Sequence, residues 1–394
     1  MSNILDYLDW RGDLGFDADP LNNVDALILA QLSYIVFDGI VSERFDEQIS
    51  IKDAYALYKP EKVDERLVFY SFNEDMKLLK KLADTERFGK IKLCGYVNRV
   101  DSKEALQFSA ITCVLPNGSK YISYRGTDGT IAGWKEDFNF SFMTGTPAQV
   151  CATKYLDSFS PTDTIYVGGH SKGSNLAIYA SVFCKEKIAD RIERVFAFDG
   201  PGFREDVTET ERYKKMIGRI TAIVPRSSII GQLLNSHVEN KIVLSSEHGI
   251  LQHFAYSWQV LGKHFECADT LSKSSTFINK VLDQWFSELD DDTRQIVFDS
   301  IFDVIEASDK ETLQEIREHK LSSYTAILSA ISKLPPERWK TTKDALSLLG
   351  ETGFEKILEE LEKAARNTKL PSPPKLPVPP KLPAPSVIHH KTGQ

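Results

Sequence analysis

TIYVGGHSKGSNLAIYA, residues Thr164 to Ala180, changes character twice. Thr164-Ile165-Tyr166-Val167 is rich in β-branched and aromatic residues, which predicts a strand. Leu176, Ala177 and Ala180 fall at helical spacing. Between them, Gly169-x-Ser171-x-Gly173 sets one glycine two residues before a serine and another two residues after it. The expected local structure is strand, sharp turn, helix, with Ser171 on the turn. Glycines at those positions let strand and helix approach without a Cβ clash. A serine held there has a strained backbone and an exposed hydroxyl. The next amide, that of Lys172, opens the helix, where unpaired N–H groups favour negative charge. Five-residue patterns of this kind arise by chance in many chains; the strand before and the helix after supply the context that this one requires.

Outward from this turn the chain alternates. Leu93–Val100, Leu106–Leu115 and Lys120–Tyr124 read as strands, with Pro116-Asn117-Gly118 as a hairpin turn. The third ends in a glycine-rich loop, Arg125-Gly126-Thr127-Asp128-Gly129-Thr130, followed by Trp134-Lys135-Glu136-Asp137. A helix is expected over 147–159. Downstream, Arg194–Phe198 is a strand ending at Asp199-Gly200-Pro201-Gly202. Ile220–Val224 is another, ending at Pro225, and Lys241–Leu244 is the last clear one. Upstream, Asn22-Asn23-Val24-Asp25 precedes an apolar run over 26–32, a capped helix. A second helix carries Ala54 to Tyr58 and stops at Pro60, and a third is expected over 73–90. Alternating strands and helices predict an α/β fold with a largely parallel sheet, the opening hairpins adding antiparallel strands. Beyond residue 270 the pattern is helical only. The stripes Ile278, Val281, Leu282, Trp285, Phe286 and Ile296, Val297, Ile301, Val304, Ile305 are read as core faces. From Leu370 a proline-rich tail with Pro-Lys-Leu-Pro-like units is expected to be extended, either as a solvated spacer or as a ligand for a partner domain. The expected units are 1–268, 269–369 and 370–394.

At 394 residues, 42% hydrophobic and 26% charged, the chain reads as a soluble globular protein with a sizeable core. A net charge of −8 without a basic arm gives no reason to expect nucleic acid. The N-terminus lacks the basic and apolar regions of a signal peptide. No window approaches the roughly 18 uncharged apolar residues of a membrane span. Five scattered cysteines without C-x-x-C spacing fit reduced thiols in a cytoplasm better than disulfides or a zinc site. No metal or cofactor motif is present.

A serine hydroxyl needs a base in hydrogen-bond reach and a third group to orient that base. The Gly169-x-Ser171-x-Gly173 turn resembles the nucleophile elbow of α/β-hydrolases, in which the acid and the histidine follow the serine in chain order. Of the downstream histidines, His248 and His253 follow the last strand. His253, in Gly249-Ile250-Leu251-Gln252-His253-Phe254, is the favoured base and His248 the alternative; each could instead be a structurally satisfied histidine. His237 stands in a loop, His319 among charges, and His389 and His390 in the tail. Asp199 ends the strand after the turn's helix, at the sheet edge that carries Ser171, and is the expected acid. Its bland alternative is turn capping, and Glu239 and Glu247 are weaker acids for the role. The amides of Thr127 and Lys172 are expected to bind an oxyanion, with Asp137 fixing the glycine-rich loop through Arg125.

These residues together carry a resemblance. Tyr124-Arg125-Gly126-Thr127, Trp134-x-x-Asp137, Gly169-His170-Ser171-Lys172-Gly173-Ser174-Asn175-Leu176-Ala177 and Ile223-Val224-Pro225 resemble the class 3 lipases of the α/β-hydrolase fold. A branch of bacterial lipase-related proteins of unknown function is more similar still, through Asp6-Tyr7-Leu8-x-Trp10-Arg11-Gly12-Asp13, Phe198–Phe203 and Val224-Pro225-x-Ser227-x-Ile229-Ile230-Gly231. The resemblance covers roughly residues 1–265. It implies a serine hydrolase acting on carboxylic, lipid-like acyl esters through Ser171, His253 and Asp199, with no cofactor. Two positions depart from the lipase pattern. The usual aspartate before Ile-Val-Pro is Ala222, so the acid would come from Asp199. Lys172 and Ser174 replace a leucine and a glycine, and the lysine's charge would favour an anionic substrate or reach solvent. The rival expectations are an inactive hydrolase-fold scaffold and a phospholipase working at a membrane surface.

Overall fold

The computed structural model describes residues 2–60, 71–101, 104, 106–127, 139–234, 236–306 and 334–348. Among the described residues eight strands form one sheet in chain order: β1 (Ile49–Ser50), β2 (Lys92–Asp101), β3 (Leu106–Val114), β4 (Lys120–Tyr124), β5 (Ile165–His170), β6 (Ile192–Phe198), β7 (Ile220–Pro225) and β8 (Asn240–Val243). The pairings from β1 to β4 are antiparallel, and those from β4 to β8 are parallel. The main helices are α1 (Ile4–Arg11), α2 (Asn23–Leu32), α3 (Ile51–Leu57), α4 (Phe72–Asp84), α5 (Pro147–Leu156), α6 (Lys172–Phe183), α7 (Lys273–Glu288), α8 (Asp291–Glu306) and α9 (Pro336–Leu348).

Parallel neighbours need a crossover that covers a face of the sheet. Helix α5 lies between β4 and β5 in sequence, and α6 between β5 and β6. Successive side chains of a strand point to opposite faces, and the core divides accordingly. Tyr121, Phe196 and Phe198 join residues of α1, α2 and α4 in one buried cluster. Ile122, Val195 and Ala197 join residues of α5 and α6 in the other. The sheet is therefore sandwiched between the N-terminal helices and the crossover helices. Buried ion pairing ties down the first layer: Arg87 Nε donates to Asp25 Oδ1 at 2.8 Å, and both side chains are fully buried.

Most expected elements appear with shifted ends. The helix expected over 73–90 breaks at Thr85, whose extended backbone (φ −92°, ψ 146°) lets its side chain cap the short turn Glu86–Gly89. A β-branched hydroxyl residue favours that capping position over a helix interior. The helix expected to reach Phe159 ends at Leu156, and the one expected to include Tyr58 ends at Leu57. Strand β5 continues through both glycines to His170, because their backbones pair with β4 on one side and β6 on the other. Strand β1 and the small pair Val260–Leu261 and His264–Phe265 had no sequence signal. All five cysteines are free. Of the C-terminal stripes, Trp285 and Val297 are buried. The side chains of Ile278 and residues 301–306, and the whole proline-rich tail, lie outside the described residues. No helix among the described residues is long and apolar enough to cross a membrane.

One buried carboxyl sets a pH dependence. Asp75 of α4 accepts hydrogen bonds from Ser71 at 2.7 Å and Tyr256 at 2.5 Å. Burial pushes its carboxyl up from 3.8 to about 7. A raised pKa makes this contribution to stability full below 3.8 and lost as pH rises through about 7. Between pH 5 and 8 the wild type should lose about 2–3 kcal/mol through this group. Denaturant unfolding of Asp75→Asn across that range should show a correspondingly flatter profile; identical profiles would contradict the assignment.

Candidate active site

Three strand ends meet at one edge of the parallel sheet. Strand β5 stops at His170 and α6 begins at Lys172, leaving Ser171 between them at φ 59°, ψ −132°. A non-glycine residue in that region costs about 1–3 kcal/mol and persists only where its surroundings impose it. They do so here. A Cβ on Gly169 would overlap the Gly173 carbonyl and stand 2.7 Å from the Tyr124 oxygen. One on Gly173 would strike Tyr124 as well, at 2.9 Å from its carbonyl carbon. A Cβ on Gly126 would lie 3.0 Å from that of Ser171, so the loop after β4 passes directly against the turn. The Ser171 N–H donates to the Phe198 carbonyl at the end of β6, at 2.9 Å.

Asp199 follows that carbonyl. It is 1% exposed, and its φ of 45° is also positive. Its N–H donates to the Ile223 carbonyl of β7 at 2.9 Å. Its carboxylate accepts three hydrogen bonds: His253 Nδ1 to Oδ2 at 2.6 Å, Ser228 Oγ to Oδ1 at 2.5 Å, and the Gly231 N–H to Oδ1 at 3.2 Å. Asn175 on α6 fixes the loop beyond it, donating to the Pro201 and Gly202 carbonyls at 3.2 and 2.8 Å. Gly200 is required there, since a Cβ would overlap the Ser171 carbonyl and stand 2.6 Å from Ser174 Cβ.

His253 ends a 3-10 turn, Gly249–His253. It is held from both ends. Its Nδ1 meets Asp199, and its backbone carbonyl accepts from His170 Nε2 at 2.8 Å, the two imidazoles lying 4.6 Å apart and 31° from parallel. With His170 Nε2 donating, its Nδ1 is left as the acceptor for the Tyr34 hydroxyl at 3.1 Å. Burial, reinforced by the neighbouring His253, holds the His170 imidazole well below its usual 6.5 and hence neutral. Gln252 locks the turn to the loop after β7, accepting from the Ser227 N–H at 2.7 Å.

The structure thus pairs His253 with Asp199, and holds the Ser171 backbone against the strand end that Asp199 follows. His248 is exposed, and Glu239 is exposed too. Glu247 enters the network only through its backbone, accepting from Gln252 at 2.9 Å. Thr127, buried, directly follows Gly126, and the Lys172 amide opens α6. The lysine side chain departs from expectation. It is 1% exposed and turned inward, with Nζ donating to the Gln107 carbonyl at 2.8 Å and to the Gln107 side chain, so its charge is spent inside the fold. Trp134, Asp137, His319, His389 and His390 lie outside the described residues. Sequence reasoning passed over His170, Tyr34 and Ser228. His170 lay within the deciding stretch, but only the fold shows that its ring holds the His253 carbonyl. Among the described residues no three His, Cys, Asp or Glu side chains converge as a metal ligand set requires.

The neutral His170 has a measurable consequence. Its depressed pKa means that the unfolded chain takes up a proton below about 6.5 that the folded chain does not. The contribution is full above 6.5 and is lost as pH falls. Stability of the wild type should therefore fall more steeply on acidification than that of His170→Gln, the difference approaching about 1.4 kcal/mol per pH unit. Equal slopes in urea unfolding between pH 7.5 and about 5 would contradict a buried neutral imidazole.

Comparison with known proteins adds a family. No curated protein matches the chain in sequence. Among solved structures, one described as the crystal structure of M37 lipase is similar over 55% of this chain and 70% of its own, at 16% identity and a TM-score of 0.35. A superposition that loose transfers no residue role. The family described as Mbeg1-like matches residues 82–303, from the end of α4 through most of α8. That span is more than half of the 394 residues, and the chain belongs to the Mbeg1-like family.

Proposed function

We propose that this chain is a serine hydrolase of the α/β-hydrolase type, cleaving carboxylic esters with lipid-like acyl groups. The observation that carries the reading is the 2.6 Å bond from His253 Nδ1 to a buried Asp199, formed at the strand edge where Ser171 is held at a positive φ. A carboxylate on Nδ1 fixes the tautomer that leaves Nε2 as the proton acceptor and stabilises the imidazolium that forms. The chain order serine, acid, histidine is that of the α/β-hydrolases. Ala222, where class 3 lipases carry their aspartate, leaves no gap in this scheme, because the carboxylate comes from the end of the preceding strand.

In this mechanism Ser171 Oγ attacks the ester carbonyl while His253 Nε2 takes its proton. The tetrahedral oxyanion is bound by the amides of Thr127 and Lys172, the first held by the loop pressed against the turn and the second at the start of a helix. His253 returns the proton to the departing alcohol. Water, activated by the same imidazole, then attacks the acyl-enzyme and frees the acid and the serine. The preference for acyl esters rests on the resemblance to class 3 lipases.

Hydrolysis of p-nitrophenyl esters of graded acyl length tests this. The wild type should turn over at least one of them. Asp199→Asn should lower kcat by about 10⁴-fold, and Ser171→Ala by at least as much. Hydrolysis that persists in purified Ser171→Ala would overturn the reading.

A further inference from the structure

We propose that Ser275 and Asn279 of helix α7 are positioning residues for the acid of the site, acting through Ser228. The inference rests on the triad reading above and extends it into the helical region that the sequence places apart.

The chain of contacts is continuous. Ser228 Oγ donates to Asp199 Oδ1 at 2.5 Å, so the direction of the carboxylate depends on where residue 228 stands. The Ser228 backbone carbonyl accepts from two side chains of α7: the Ser275 hydroxyl, and Asn279 Nδ2 at 3.4 Å. Asn279 Nδ2 also meets Ser275 Oγ at 3.3 Å, so the two side chains act as one unit, a turn apart. The N-terminal end of the helix grips the same loop two residues earlier. The Ser272 N–H donates to the Arg226 carbonyl at 2.8 Å, and Ser227 Oγ donates to Ser272 Oγ at 3.0 Å. Ser228, Ser275 and Asn279 are 1%, 2% and 7% exposed.

A helix that merely covered the sheet edge would present apolar side chains here, as α7 does farther along at the buried Trp285. Two buried polar side chains aimed at one carbonyl instead fix its position, because a buried acceptor that loses its donors carries the full desolvation penalty. Movement of that carbonyl moves the Ser228 hydroxyl and with it the face that Asp199 shows to His253. Orientation errors of this kind act on the chemical step more than on binding. The expected boundary at 268/269 therefore cuts through the support of the acid. The family match, which runs to residue 303, includes the whole of this helix.

A double-mutant cycle on the full chain tests the proposal, with kcat and KM for the p-nitrophenyl ester that the wild type hydrolyses fastest, and with thermal unfolding of each variant. Ser275→Ala should lower kcat about tenfold with KM nearly unchanged. In the Ser228→Ala background, where no hydroxyl remains to be positioned, the same substitution should have almost no further effect, because the two act in series. Asn279→Leu carried through the same cycle should give the same coupling, and decides the matter should Ser275→Ala fold poorly. Multiplicative losses, or an unchanged kcat in Ser275→Ala, would overturn the positioning role while leaving the triad reading intact. A wild type that hydrolyses no ester would remove the triad reading and this inference together.

Discussion

The arrangement depends on a steric constraint: the end of β5 and the first turn of α6 approach too closely for any side chain to stand between them. Gly169 faces the Gly173 carbonyl, and both press on the Tyr124 backbone of β4. That closeness leaves Ser171 only a strained backbone conformation, at positive φ. The same crowding brings the loop after β4 against the turn at Gly126 and the loop after β6 against it at Gly200. Two further loops therefore acquire fixed positions from the one turn. Electrostatics enters only after the backbones have been set by van der Waals contact.

The site then hangs on a short series of backbone bonds between neighbouring strand ends. Ser171 N–H reaches the Phe198 carbonyl, and Asp199 N–H reaches that of Ile223. The candidate nucleophile and the candidate acid are thereby held by the sheet itself. The candidate base is not. His253 comes from a turn after β8 and is steadied by side chains: Asp199 at its ring, His170 at its carbonyl, and Gln252 linking its turn to the loop after β7. This division matches how α/β sheets place function, with rigid strand ends presenting some groups and loops bringing the remainder.

Much of this was legible in the sequence, for identifiable reasons. Strand and helix alternation was readable because the parallel strands are rich in β-branched and aromatic residues, and because Asn22 caps its helix through its side chain. Ser171 was marked by two glycines whose spacing has a steric purpose. Asp199 and His253 were reachable from chain order and from their places after strands. The rest was not local. Nothing in the sequence reports that Lys172 buries its charge against Gln107, 65 positions away, or that His170 carries the carbonyl of His253. Ser228 is one of many serines until the fold sets its hydroxyl on Asp199. Short-range pattern reveals elements and turns; partners distant in sequence are decided by the packing of the whole sheet.

The central claim is that Ser171 is a nucleophile activated by His253 and Asp199. Its most direct test is reaction with a fluorophosphonate, followed by mass-spectrometric location of the adduct. The account predicts one stoichiometric adduct on the peptide that contains Ser171, absent in Ser171→Ala and formed far more slowly in His253→Ala. An adduct on another residue, or a folded wild type that remains unmodified under conditions that label other serine hydrolases, would contradict it.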